Sequence, residues 1–552
     1  MVILGLSDGP DAGAALVIDD RIVAASQQAR LDRIPRSHAF PWAAIDDVLS
    51  RGGLEPGEVD LIAVGGQLTP PFFARRHPSV RDLTRDPFSP AVDAGVFWQA
   101  LLRRSGLGAL EADRTSEWLD QRFRQRGLCP GRVVLVDLHR ALAAAAYRCQ
   151  PDPEALVITL HPRGDGFALA VHRGRAGQLD RRFAQRGVSS LHVHLPRCAA
   201  AMGLDPWLDG QRMWGLAARG RPDEVLVGAL YDELHAEGTG LSRRALPALE
   251  RPTDAPWREL RTAPIEVAAA SVLQNLRAAV LEVLRAHVAG HDATTLALGG
   301  EILDNPRLIA DAAGLPGVHR VETAPLPGGA AVALGAALSQ AGLAPARLEP
   351  RALGASPSEE LCERALAEHG GGVPFDPVHA AQVLARGEGV ARLAGGHGWS
   401  RSGGGCRSVL VRADAPESIE RIRRRLELPE GIEPGLACDE GFLRIEHADA
   451  LSGPLRYGAA APRVIEGGEG IGGALTADGH VHLQWIDGDQ DPQLSKILGA
   501  LGELVGTPAV ALWPLSMGRE PPRSQPRGAT ELWRRAGLGG LQLGSRWVEG
   551  SP

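Results

Sequence analysis

From Ile3 to Pro41 the chain reads ILGLSDGPDAGAALVIDDRIVAASQQARLDRIPRSHAFP: a strand, a glycine-bearing turn, an Asp-Ala-Gly step and a second apolar strand in direct succession. No other stretch restricts the fold as much. The apolar runs ILGLS, AALVIDD and RIVAAS have strand length rather than helix length. The turn between the first two holds Gly9, Asp11 and Gly13, and it makes a hairpin of the kind whose backbone can approach a phosphate.

The rest of the N-terminal half repeats the α/β theme. Pro41 to Ile45 predicts a helix start, and DLIAVGG a strand. Residues 70–127 are polar, rich in Arg and predicted helical, with breaks at Pro71, Pro78 and Pro87. VVLVDLH, from Val133 to His139, reads as a buried strand, and the Ala-rich helix RALAAAAYR follows it directly. ALVITL and FALAVHRG predict a hairpin around Gly164-Asp165-Gly166. A second strand-helix set covers roughly 265–345. It contains an amphipathic helix over Ala268–Val288, the strand TTLALGGEIL, and a Pro-Gly-Gly turn entering the helix AAVALGAAL. Two halves with strands before helices predict a duplicated α/β core. Residues 346–357 carry Pro and Gly and read as a linker. A first domain over 1–345 and a second α/β unit over 358–552 are therefore expected, the second opening with a helix at 358–369.

Composition excludes several classes. At 552 residues the chain exceeds one hydrophobic core. No run approaches the roughly 18 uncharged apolar residues of a membrane span. With no basic start and apolar stretch at the N-terminus, a cytoplasmic location is expected. A net charge of -7 argues against broad affinity for nucleic-acid phosphates. The 6 cysteines form no C-x-x-C pair and predict free buried thiols. Lys496 is the single lysine among 59 basic residues, so any phosphate grip must use arginine or backbone N–H groups.

Several stretches, in order along the chain, resemble the NodU/CmcH family of O-carbamoyltransferases. Besides the opening hairpin, Asp209-Gly-Gln-Arg-Met-Trp-Gly-Leu-Ala-Ala-Arg-Gly-Arg-Pro222 is similar to D-E-G-K-V-M-G-L-A-x-Y-G-x-P, with Arg212 at the lysine. LALGGEILDNPRL, from Leu296 to Leu308, resembles the family's glycine pair followed by asparagines. LGASPSEELCERAL, from Leu353 to Leu366, resembles L-G-P-x-Y-S-x-E-E-I. The resemblance implies an actin/hexokinase-like, TsaD-like ATPase domain followed by a YrdC-like α/β domain. It implies ATP, carbamoyl phosphate and an iron or zinc ion, and transfer of a carbamoyl group to a hydroxyl.

The positions that carry this chemistry in the family are altered here. Pro10 stands at a histidine, and Gln28 and Ala29 at an acidic pair. The family's H-H-x-x-H places imidazoles at i and i+4 on one helix face; here those positions are Leu138 and Leu142. Gly329 replaces an Asp in the turn before the last helix of the first domain. In the C-terminal motif, Glu has become Gly398 and an inner Arg has become Ser402. The expectation is therefore a chain with no confident catalytic residue, no metal and no cofactor. Residual nucleotide contacts would fall to Asp11, Gly13, Asp165, Arg212, Gly299, Gly300, Asp304 and Gly328. Residual anion contacts would fall to Arg401, Arg407 and Ser408. The run Gly403-Gly404-Gly405 is expected to be floppy. His192-Val193-His194 and His480-Val481-His482 read as solvent-facing strand histidines.

The functional expectation is a non-catalytic subunit or partner of an active carbamoyltransferase, paired with that paralogue, with a biosynthetic enzyme or with a second copy of itself. It engages neither nucleic acid nor membrane. The alternative is a divergent active transferase that moves a carbamoyl or acyl group from an adenylate without the usual metal.

Overall fold

The computed structural model describes residues 1–77, 80, 86–186, 191–242, 253–289, 294–300, 305–342, 348, 353–396 and 399–550. The chain divides into two compact units: Met1–Asp32 with Arg36–Leu348, and Arg33–Pro35 with Glu349–Pro552.

The first unit opens with β1 (Val2–Ser7), β2 (Gly13–Ile18) and β3 (Arg21–Gln27), followed by α1 (Gln28–Asp32), α2 (Trp42–Gly52) and β4 (Leu61–Gly65). Three helices come next, α3 (Phe72–Arg76), α4 (Pro90–Ser105) and α5 (Gly108–Arg124), and they lead to β5 (Arg132–Val136). These five strands form one sheet in the order β3-β2-β1-β4-β5. β1, β2 and β3 are an antiparallel meander, and β4 and β5 run parallel to β1.

A second sheet repeats that order. After α6 (Leu138–Arg148) the chain makes the meander β6 (Glu154–Gly164), β7 (Phe167–Arg175) and β8 (Gln178–Arg186). It then passes through α7 (Leu191–Ala201), α8 (Gly210–Ala217), α9 (Glu224–Glu233), the ribbon β9 (His235–Glu237) and β10 (Gly240–Ser242), α10 (Trp257–Thr262) and α11 (Ile265–Val288). β11 (Thr294–Gly300), α12 (Pro306–Ala313), β12 (Val318–Thr323) and α13 (Gly328–Leu338) complete the unit. The sheet order is β12-β11-β6-β7-β8, with β11 parallel to β6 and β12 parallel to β11. The duplicated α/β architecture expected for an actin/hexokinase-type core is thus present. The β6–β7 hairpin turns at Asp165 (φ 55) and Gly166 (φ 87), the left-handed pair a tight hairpin favours.

α13 packs on β1, β2 and β4, while α6 packs on β6 and β11, and the two helices pack against each other. Their sequences, GGAAVALGAAL and LHRALAAAAYR, are small-residue runs because a sheet and a helix crowd each from both sides. A Cβ on Gly5 would lie 2.0 Å from the Ala333 carbonyl oxygen, and one on Gly335 only 1.8 Å from that of Ala141. Larger residues could not approach so closely.

By length and composition α11 would suffice to span a membrane, but 67% of its apolar window is buried in the unit, against α8, α9 and α12. Its apolarity belongs to a core helix.

The second unit is built on an eight-stranded sheet, β13-β22-β21-β14-β15-β20-β16-β19. Its members are β13 (Val373–Pro374), β14 (Val390–Leu393), β15 (Arg407–Arg412), β16 (Gly435–Asp439), β19 (His482–Ile486), β20 (Ala509–Pro514), β21 (Gly540–Leu543) and β22 (Arg546–Glu549); β17 (Arg444–Ile445) and β18 (Val464–Glu466) form a separate ribbon. The expected opening helix is α14 (Glu359–Ala367); α15 (Pro377–Ala385), α16 (Pro416–Arg425), α17 (Ser452–Arg456), α18 (Pro492–Val505) and α19 (Pro526–Arg535) follow. The core joins α15 and α18 to the sheet through Leu384, Leu410, Ile497, Leu498 and Val510.

Two expectations fail at this level. Gly403, Gly404 and Gly405 are not floppy: all three are buried, at φ 82, 63 and 76. Three consecutive left-handed residues require glycine, so the run serves a fixed tight turn. The cysteines are free as expected, but Cys129 is exposed rather than buried.

Candidate functional site

The residues singled out in the first unit fall mainly at two places: the start of α6 with the β6–β7 turn, and the β1–β2 loop with the start of α13. Asp137 caps α6, its side chain accepting from the Arg140 N–H at 3.1 Å. Leu138 and Leu142 lie one turn apart, each only 4% exposed. Leu142 reaches toward β11: a Cβ on Gly300 would stand 3.5 Å from its Cδ1, and one on Gly299 would stand 3.2 Å from its carbonyl oxygen. Both leucines are core residues.

His139 is fully buried between them in sequence. Its Nδ1 pairs with Thr159 Oγ1 at 2.8 Å and its Nε2 with the Phe167 carbonyl at 3.1 Å. Burial lowers its pKa, so the ring is held neutral. A Cβ on Gly164 would lie 2.3 Å from its Nε2, which explains a glycine at the end of β6.

Asp165 corrects one expectation. It is not available to a nucleotide, because its carboxylate accepts the backbone N–H groups of Gln67, Leu68 and Leu138 at 2.9, 2.7 and 2.7 Å. Burial, with Asp137 adding, pushes its pKa up, against the pull of those donors. A carboxylate so enclosed ties three chain segments together.

A cluster around Asp137 escaped the sequence reading. Arg103 of α4 pairs with Asp137 at 2.6 Å and also donates to the Asp165 carbonyl at 2.6 Å. Arg181 of β8 reaches the same carboxylate at 3.7 Å. Both guanidinium groups lie over the Phe167 ring, at 4.6 and 5.1 Å from its centroid. Two cationic side chains therefore gather at the start of α6. An Asp ahead of a helix is a capping signal, but nothing in the sequence joins it to arginines on a distant helix and strand.

At the other loop, Asp11 (φ 63) accepts from Gln27 Nε2 at 3.3 Å and from the Gly329 N–H at 3.4 Å. Its carboxylate stands at the start of α13, the helix end a phosphate would use. Cβ atoms on Gly328 and Gly329 would lie 2.0 and 1.7 Å from Asp11 oxygens, and one on Gly13 would lie 2.9 Å from the Ser26 carbonyl. Gly13, Gly328 and Gly329 thus have packing reasons to be glycine. Arg30, buried, donates to Gln27 Oε1 at 3.0 Å, and burial lowers its pKa to about 10 despite Asp11. Asp8 is buried against Arg75 at 2.9 Å. Pro10 lies exposed in the loop. Arg212 of α8 pairs with Asp209, the residue just ahead of that helix, at 3.6 Å. Asp304 lies outside the described residues.

An iron or zinc ion needs converging nitrogen, sulfur or oxygen donors. The side chains at 138, 142 and 329 supply none, so the residues present do not fit that ion. Among the described residues, no group of three or more His, Cys, Asp and Glu is placed to hold a metal.

In the second unit the anion-binding expectation for Arg407 and Ser408 is corrected. Arg407 is fully buried and donates to the carbonyls of Ala355, Ala394, Gly395, Gly396 and Cys406 at 2.8 to 3.4 Å. Ser408 Oγ donates to the Ser402 carbonyl at 2.6 Å and accepts from the Gly405 N–H at 3.0 Å. Ser408 braces the glycine turn, and Arg407 holds the segment after β14 together with Ala355 and Cys406. Ser402 is buried beside Ser400, with 3.3 Å between the hydroxyls. Arg401 is half-buried, and its charge acts on His482. Gly398 lies outside the described residues.

The histidine pairs are corrected as well. His194 lies buried on helix α7, not on a strand. His480 precedes β19, and His482 Nε2 donates to the Gly458 carbonyl at 2.6 Å, with a pKa lowered to about 4 chiefly by burial. A carbonyl only accepts, so Nε2 carries the proton there.

No protein-family model matches the chain, and no curated protein matches it. Among solved structures, it is similar to an uncharacterized protein with similarity to peptidase YEAZ from Pseudomonas aeruginosa, at 17% identity and TM-score 0.20, over 33% of this chain and 63% of that one, just under two thirds of its length. It is also similar to Lmo2764, a putative N-acetylmannosamine kinase from Listeria monocytogenes, at 15% identity and TM-score 0.29, over 62% of this chain and 99% of that one. A ROK family glucokinase from Streptomyces griseus gives 16% identity and TM-score 0.29, over 61% and 98%. Scores this low leave the fold to be argued from the two sheet orders, and the site from its own residues.

Proposed function

We propose that this chain is a divergent member of the NodU/CmcH carbamoyltransferase family that no longer performs metal-dependent carbamoyl transfer and acts as a non-catalytic partner of an active carbamoyltransferase. One observation carries the reading. The face of α6 that would present two imidazoles carries Leu138 and Leu142, both packed into the core. Hydrocarbon has no lone pair to offer a cation. The carboxylates that remain nearby support the same reading, because Asp137 is neutralised by Arg103 and Arg181, and Asp165 by backbone N–H groups. In this reading the second unit is the YrdC-like domain, and the preserved fold offers a surface for pairing.

The test is calorimetry of the full chain with ATP and with carbamoyl phosphate, beside affinity purification from its native host. The reading expects neither small molecule to bind tightly and a carbamoyltransferase to co-purify. Tight binding of both, with the chain isolated alone, would overturn it.

A further inference from the structure

α2 and α5 build a feature that the proposed function does not use. On one side of the first sheet, Trp42 at the start of α2 and Trp118, Gln121, Arg122, Gln125 and Arg126 at the end of α5 line an open depression of about 430 Å³. That lies within the range of roughly 300–1,000 Å³ common for small-molecule sites.

Two arginines stand on its wall. Arg122 lies over three rings, with its guanidinium carbon 4.8 Å from the Phe40 centroid, 5.2 Å from Trp118 and 5.9 Å from Trp42. Arg126 lies over Trp42 at 4.9 Å. Among the described residues neither guanidinium has an ion pair or a side-chain hydrogen bond. The nearby acids are engaged elsewhere: Asp120 with Arg124 at 2.7 Å, and Asp8 with Arg75 at 2.9 Å. Burial lowers the Arg122 pKa, Asp8 opposes this, and Arg126 adds to it. Two like charges are thus held near one another by aromatic packing, Arg122 partly desolvated and Arg126 exposed.

A guanidinium that offers its face to a ring keeps its in-plane N–H groups for an anion. The Gln121 and Gln125 amides add neutral donors and acceptors on the same wall. We propose that this depression binds a small planar aromatic anion, its ring against the tryptophan wall and its carboxylate, phosphate or sulfonate on Arg122 and Arg126. Bringing an anion between the arginines relieves their mutual repulsion. A neutral ring gains only the stacking, and a bare anion gains only a salt-screened charge contact.

The test is isothermal titration calorimetry of the full chain with naphthalene-2-carboxylate, naphthalene-2-methanol and acetate as probes. The carboxylate should bind at least about tenfold more tightly than either of the others, the ratio that one charge-assisted hydrogen bond supplies. Arg126 is exposed, so Arg126→Gln should leave the fold intact and weaken binding about tenfold. Arg122→Gln should act in the same direction, and raising the salt concentration should weaken the wild-type complex. No binding of the carboxylate at millimolar concentration would overturn the proposal, as would equal binding of the neutral alcohol or affinity unchanged in Arg126→Gln.

Discussion

The Leu138 N–H donates to Asp165 Oδ2 at 2.7 Å, which ties the first turn of α6 to the β6–β7 hairpin. The same carboxylate holds the Gln67 and Leu68 N–H groups of the segment after β4. A residue that looks like a ligand-binding acid is a staple between the two halves of the first unit. Asp165→Ala leaves three backbone donors without an acceptor and should destabilise the chain by about 3 kcal/mol or more. Asp165→Asn keeps one acceptor oxygen and should cost less, about 1–2 kcal/mol. Chemical denaturation of both variants measures the difference; a neutral Asp165→Ala would contradict the assignment.

The contact between Gly335 and Ala141 sets the closeness of α13 and α6. A Cβ at 335 would lie 1.8 Å from a carbonyl oxygen, a clash that only backbone movement relieves. Gly335→Ala should therefore cost more than about 4 kcal/mol, at the far end of single-residue effects. Gly9→Ala is the control, because a Cβ there meets nothing within 4 Å. Circular dichroism melts should show the first variant unfolded or strongly weakened and the second close to wild type.

Arg407 separates structural from ligand-binding arginine. Its donors go to five carbonyls, those of Ala355, of Ala394, Gly395 and Gly396 after β14, and of Cys406. Lysine is a point donor and cannot reproduce that planar fork. Arg407→Lys should lower stability by about 3 kcal/mol in thermal or denaturant unfolding. Unchanged stability with lost phosphate binding would restore the anion-site reading.

His172 supplies a pH dependence. It is buried on β7, and its pKa is lowered to about 4, chiefly by burial, with the neighbouring His139 adding. The unfolded ring titrates near its ordinary value of about 6.5. The unfolded state therefore binds the proton first as pH falls. The contribution of His172 to stability should be fully present above pH ~6.5 and be lost toward pH ~4, by at most about 3 kcal/mol. Urea midpoints across that window should fall for the wild type and fall less for His172→Phe.

Much of the frame is legible in the sequence, and for a physical reason. The short apolar runs ILGLS, AALVIDD and RIVAAS mark β1, β2 and β3, and the small-residue runs belong to α6 and α13, two helices each crowded by a sheet and by the other. The turn at Asp165-Gly166 is equally readable, because its backbone needs left-handed residues. Side-chain partners are not readable in the same way. Asp165, Arg407 and Ser408 look like ligand-binding groups in isolation, and only the fold reveals the backbone atoms they hold. The Arg103–Asp137–Arg181 cluster joins residues from α4, the start of α6 and β8, a grouping that no local pattern announces. His482 opens β19 and gives its Nε2 proton to the Gly458 carbonyl, a partner that the His-x-His spacing does not reveal.

The most direct test of the proposed loss of metal chemistry is the metal content of the purified full chain after incubation with iron or zinc and removal of excess ion, read by inductively coupled plasma mass spectrometry. Because Leu138, Leu142 and Gly329 offer no donor, the protein should retain far less than one ion per chain. Retention of close to one ion per chain, released by a chelator, would contradict the account.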